Sequence, residues 1–188
     1  MFVEESYKEY QKNPDKMILY LETEHCIVTK QLLDAKIPLP VLRPCNNDDI
    51  ICEMIQQQHR KIRVLKEDIK KVFQANSKDY CSVWFDLEEL HSSFGDSFAS
   101  SSSSFKGFVM INLSTRTMRG NDVVKTIRDT LLRNACNVKA RTYQGRSGRT
   151  NMACGWGHMA SCPQKKREEA SLFLRRQGDF ESTRFKTG

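Results

Sequence analysis

The chain has 188 residues, with 30 Lys and Arg against 23 Asp and Glu, a formal net charge of +7, and seven cysteines. Residues 1–138 are net neutral, whereas residues 139–188 carry the whole excess and hold only five of the 44 Leu, Ile, Val and Phe. This division excludes a uniformly basic nucleic-acid-binding domain and predicts a neutral body followed by a basic tail too poor in apolar side chains to offset its ordering entropy.

The odd, irregularly spaced cysteines read as reduced thiols of the cytoplasm or nucleus. The start Met1-Phe2-Val3-Glu4-Glu5 lacks the basic and apolar regions of a secretory signal. The apolar runs fall far short of the ~20 residues of a membrane span.

In chain order, Asn13-Pro14-Asp15 has the form of a helix start. Ile18, Leu21, His25, Val28 and Leu32 then recur at threes and fours, predicting a helix to about Ala35. Pro38, Pro40 and Pro44 stop it and predict an extended connector. Between Asn47 and Asn76 there is neither Gly nor Pro, and Ile51, Ile55, Gln58, Ile62, Leu65, Ile69 and Val72 are spaced alternately four and three apart. That is a heptad seam on a predicted helix over 46–76, with Gln58 as a polar register element. Lys61 and Lys66 flank the seam; in a parallel homodimer they would face each other with like charge, so a heterologous partner helix is preferred.

Val83-Trp84-Phe85 is an apolar knot, and with Asp86 to Leu90 it has the composition of core or of a docking peptide. Ser92 to Ser104 is serine-rich and reads as a linker. Phe108 to Leu113 fits a strand or a helix start, and Val123, Val124, Ile127, Leu131 and Leu132 predict an amphipathic helix over 121–136.

Chemistry-bearing patterns are sparse. Cys154, His158 and Cys162 are spaced C-x3-H-x3-C, without the tight C-x2-C turn of structural zinc sites, and no metal is expected. Gly145 to Thr150 lacks the lysine of a phosphate loop, and His25, His59, His91 and His158 lie on separate segments. Gln164 to Arg167 is a basic cluster of the kind that contacts polyanions.

The fold expected is mainly α: a helical hairpin or short coiled coil over 1–78, an irregular Ser-rich segment and a C-terminal amphipathic helix over 79–138, and a disordered basic tail over 139–188. The function expected is a non-catalytic adaptor or scaffold subunit, without cofactor, metal or small-molecule substrate. It would bind a helical protein through Ile51, Ile55, Gln58, Ile62, Leu65, Ile69 and Val72, with Lys61 and Lys66 selecting partner charge. The alternative is a nucleic-acid-associated factor using the tail and the basic face of the 46–76 helix.

Overall fold

The computed structural model describes residues 1–87, 98, 101–102, 104–114, 120–132, 135–144 and 151–159. They build one seven-stranded sheet covered on both faces by helices. The strands are β1 (Met17–Leu21), β2 (Leu42–Asn46), β3 (Leu65–Lys66), β4 (Tyr80–Leu87), β5 (Gly107–Ser114), β6 (Cys136–Gln144) and β7 (Asn151–Met159), in the order β3-β2-β1-β4-β5-β7-β6. β1 to β5 run parallel, and β7 is antiparallel to both β5 and β6. The helices are α1 (Phe2–Lys12), α2 (Ile27–Asp34), α3 (Asp49–Gln58), α4 (Ile69–Asn76) and α5 (Gly120–Leu132).

This α/β architecture overturns the mainly helical expectation. Parallel strands are buried on both faces and therefore appear in sequence as short continuous apolar runs rather than alternations. Met17–Leu21 is such a run, and its residues Ile18, Leu19 and Tyr20 are fully buried. The chance spacing of Ile18 and Leu21 with His25, Val28 and Leu32 imitates a helical stripe across what is really a strand, a turn and a short helix.

The predicted 46–76 helix is likewise three elements. Asp48 caps α3, its Oδ1 accepting from the N–H of Ile50 (2.8 Å) and Ile51 (3.2 Å). The helix ends at His59, whose φ of −132° and ψ of 74° are not helical. Leu65 and Lys66 then pair with Cys45 and Asn46, and Asp68 caps α4 by accepting from the Lys70 N–H at 2.8 Å. Between the two helices only Leu65 and Lys66 join the sheet, while Ile62 is buried from the connecting turn, so tertiary pairing overrides helix propensity over 59–68.

The basic tail also begins later than composition predicts, since β6 and β7 take 136–144 and 151–159 into the sheet. Residues 160–188, with Cys162 and the 164–167 basic cluster, lie outside the described residues, as does most of the serine-rich stretch. No helix among the described residues is long and apolar enough to cross a membrane.

One apolar layer packs α1, α2 and α3 on the sheet through Phe2, Tyr20, Leu32, Ile55 and Phe108. The other packs α4 and α5 on the opposite face through Phe73, Phe85, Ile111 and Ile127. In it Phe73 meets Phe85 edge-on at 5.4 Å and stacks with Phe98 at 5.6 Å. Cys26, Cys45, Cys52, Cys81 and Cys154 are free and buried, while Cys136 is disulfide-bonded, a departure from the expected set of reduced thiols.

Candidate active site

The strand order reverses at β1: β2 lies on one side of it and β4 on the other. In open α/β sheets such a reversal leaves a crevice beyond the carboxyl ends of the strands, and ligands bind there. In this chain the carboxyl ends of β1, β2, β4 and β5 deliver Glu22, Asn46, Asp86 and Asn112 to that region.

Glu22, 1% exposed, follows β1. Its carboxylate accepts from the N–H of Thr23 (3.0 Å) and of Thr29 (2.6 Å) and from the Thr29 hydroxyl (2.7 Å). The positive N-terminal end of α2 thus stabilises a buried charge. With the Thr29 proton committed to Glu22, the Tyr20 hydroxyl donates to Thr29 Oγ1 at 2.8 Å, and burial raises the Tyr20 pKa. The Thr23-Glu24-His25-Cys26 turn holds no glycine, and Cys26 takes a left-handed φ of 51°, a conformation that glycine adopts with less strain. Asn46 stitches the neighbouring turns together: its Nδ2 donates to Glu22 O at 2.8 Å, and its Oδ1 accepts from the Asp48 N–H at 2.9 Å. Asn47 and Asp48 stand exposed beyond it.

The second half of the site is a row across four strands. Asp86 of β4 pairs with Asn112 of β5, Asn112 with Cys154 of β7, and Cys154 with Arg141 of β6. Side chains alternate along strands, and Ser82 and Trp84 contact Ser6 and Phe2 of α1. The row therefore lies on the α1 side of the sheet.

Asp86 reaches solvent, yet the protein crowded around its carboxyl raises its pKa, and a hydrogen bond from the Asn112 side chain opposes the rise. Asn112 Oδ1 and Ser114 Oγ are buried without a hydrogen-bond partner. Leaving such atoms unpaired is costly unless something else meets them. The Arg141 guanidinium lies 5.6 Å from the centre of the Trp156 ring, a cation–π distance. Burial pushes the Cys154 thiol up to about 11, so it stays protonated and is not an activated nucleophile. This arrangement offers two acceptors side by side, the Asp86 carboxylate and the Asn112 carbonyl, and suits the binding and deprotonation of a group with two hydrogen-bond donors.

The residues expected to form a partner-binding seam are dispersed. Ile55 (0% exposed), Ile62 and Ile69 are buried in the chain's own core. Ile51 and Val72 are half-buried on different helices, and Leu65 is in β3. Gln58 Nε2 donates to Glu24 O, tying α3 to the β1–α2 turn. Lys61 is exposed, and Lys66 lies 3.4 Å from Asp49. Split among α3, β3 and α4, these residues form no coiled-coil stripe and no continuous basic face.

The site residues themselves went unread. The signal they share is a short apolar run closed by a polar residue: Met17–Leu21 then Glu22, Val83–Phe85 then Asp86, and Phe108–Ile111 then Asn112.

No protein-family model and no curated protein sequence matches the chain. Solved structures share its fold. The N-methyltransferase NodS from Bradyrhizobium japonicum WM9, in complex with S-adenosyl-L-homocysteine, superposes with a TM-score of 0.57 at 12% identity, over 85% of this chain and 86% of that one. The METTL16 methyltransferase domain gives 0.56 at 15% identity, over 85% and 65% of the two chains. The 1,6-didemethyltoxoflavin-N1-methyltransferase of Burkholderia thailandensis, also with S-adenosylhomocysteine, gives 0.57 at 7%, over 84% and 77%. The chain therefore has the Rossmann-like fold of methyltransferase structures. This overturns the non-catalytic coiled-coil scaffold, and the nucleic-acid alternative loses the basic helix face it relied on beside the tail, since the one long helix does not form.

Proposed function

We propose that the chain is an S-adenosylmethionine-dependent methyltransferase acting on a small molecule that presents a primary amine or amide nitrogen. This replaces the expectation of a non-catalytic protein with no cofactor and no small-molecule substrate. The observation that supports it most is the Asp86–Asn112 pair, with its unmet carbonyl, at the carboxyl ends of β4 and β5 beside the strand reversal.

The residues present suit the cofactor through side chains rather than through a bare glycine turn. Glu24, Asn47 and Asp48, beyond β1 and β2, are the acceptors that would hold the hydroxyl and ammonium donors of a cationic nucleoside. When bound, S-adenosylmethionine supplies an electrophilic methyl group. The protein's part is positional and acid–base: Asn112 Oδ1 accepts one N–H of the substrate, and Asp86 accepts the other and takes its proton. Arg141, held over Trp156, lies at the far end of the same row and orients an anionic or aromatic portion of the substrate.

The test is calorimetric titration of the full chain with S-adenosylhomocysteine, followed by transfer of labelled methyl to a panel of small amines. The expected Kd is about 10–100 μM, weakened about tenfold in Glu24→Gln combined with Asn47→Ala. An absence of binding at ~1 mM overturns the proposal.

A further inference from the structure

At the opposite end of the sheet is a groove of about 480 Å³, between α4 and the amino-terminal ends of β1, β2, β3 and β4. Three cations line it: Arg43, Arg63 and Lys71. Lys71 is committed to Glu67 at 3.4 Å. Arg43 is anchored through one nitrogen, its Nη1 donating to the carbonyls of Pro40 (2.7 Å) and Leu42 (2.8 Å). A guanidinium has five donors in a planar fork, so Nε and Nη2 remain to meet a ligand. Tyr80, 3% exposed, lines the same wall.

Among the described residues, no carboxylate is paired with Arg43. Burial lowers its pKa first and the Arg63 charge lowers it further, with the Tyr80 and Tyr20 hydroxyls opposing. Burial pushes the Tyr80 pKa up to about 12, and both arginines oppose that shift, so the hydroxyl stays a donor at neutral pH. Two guanidinium groups without a carboxylate partner, lining one groove with the buried Tyr80, are an arrangement that an oxyanion relieves. Glu67 and Asp79 also line the groove, which leaves its net charge modest and favours one compact anion over an extended polyanion. Asn76 also lines the groove, and the apolar part of the wall is formed by Met17, Leu65, Val72 and Ala75. The volume falls in the range of small-molecule sites.

We propose that this groove binds a phosphate monoester, its phosphoryl group between Arg43 and Arg63 with Tyr80 as a third donor and its organic portion against Met17, Leu65 and Val72. The site is remote from the Asp86–Asn112 row, and its occupancy is measured without any methyl donor.

The experiment titrates the full chain with phenyl phosphate and, separately, with inorganic phosphate in low salt, following amide shifts by NMR. Phenyl phosphate is expected to bind about tenfold tighter than inorganic phosphate and to shift Arg43, Leu65 and Tyr80. Arg63→Gln is expected to weaken it about tenfold without changing the melting temperature, and Arg63→Lys, which keeps the charge but not the fork, by less. Equal affinity for the two probes overturns the monoester assignment. The proposal also falls if Arg63→Gln binds like wild type, if the shifts cluster at Asp86 and Asn112 instead, or if neither probe binds at ~10 mM.

Discussion

His158 Nδ1 lies 3.4 Å from Glu9 Oε1, and its Nε2 lies 3.3 Å from Glu5 Oε2, so one side chain of β7 clasps two carboxylates of α1. Lys12 completes the group at 2.7 Å from Glu9. Helix α1 is the first element in the chain and β7 the last described, and this clasp helps to fix α1 over β4 and β5.

The clasp predicts a pH dependence. Glu9 is held below its ordinary pKa of 4.5, chiefly by the hydrogen bond from His158 and then by Lys12, with burial opposing. A carboxyl whose pKa is lowered on folding contributes stability that is complete above the unfolded value and is lost as pH falls through the folded one. Glu9→Gln should therefore lower stability by about 1–2 kcal/mol near pH 6. Melting curves between pH 3 and 6 should then show the variant converging on wild type at the acid end. Parallel curves throughout would mean that Glu9 acts by packing alone.

Gly107 begins β5 where the backbone of Cys81 leaves no room: a Cβ there would sit 2.0 Å from the Cys81 carbonyl oxygen. Gly155 is also crowded, but by a side chain, with Ile127 Cγ2 at 2.2 Å. A backbone carbonyl in a parallel ladder cannot turn aside, whereas Ile127 can shift with α5. Gly107→Ala should cost about 3 kcal/mol or more and Gly155→Ala distinctly less. Denaturant melts of the two variants compare them directly, and equal costs would contradict the distinction.

The seam residues explain how much of this fold was legible in the sequence. Ile55, Ile62 and Ile69 are interior residues, so the apolar signal was genuine, whereas Asn13-Pro14-Asp15 starts no helix and lies between α1 and β1. Invisible was the partner that covers the isoleucines. A run of ten to thirty residues shows its apolar period but not whether a helix or a strand pairing buries it, and β3 is too short to have a period at all. The site was less legible still, because Asp86, Asn112, Cys154 and Arg141 come together only through strand pairing across 68 residues of sequence separation between Asp86 and Cys154.

Ile55 and Ile50 turn that correction into a measurement. Ile55 is fully buried, whereas Ile50, five residues earlier at the start of the same helix, is 70% exposed. Ile55→Ala should lower stability by about 2–4 kcal/mol, and Ile50→Ser should stay within about 0.5 kcal/mol. Neither should change the sedimentation coefficient. If Ile55→Ala dissociated a dimer while leaving the fold intact, Ile55 would belong to an interface and not to the core.

Asp86 is where function and stability should pull apart. Its carboxyl is raised above the ordinary 3.8, first by burial, with the Asn112 hydrogen bond holding it down. A base must be ionised, so methyl transfer should rise with pH through the folded pKa of Asp86. Asn112→Ala, which removes the opposing bond, should move that acid limb to higher pH. Asp86→Asn should reduce kcat by about 10²–10⁴-fold, the range for a lost general base. For stability the sign is the reverse of Glu9's. A carboxyl whose pKa rises on folding binds its proton more tightly in the native state, so its contribution is present below the unfolded pKa and disappears as pH rises through the folded one. At pH 7 the ionised, crowded Asp86 therefore destabilises the native protein relative to a neutral amide. Asp86→Asn should accordingly melt above wild type at pH 7, with the difference shrinking toward pH 3. An inactive variant that melts lower at pH 7 would show that Asp86 is a structural hydrogen-bond acceptor and not the base.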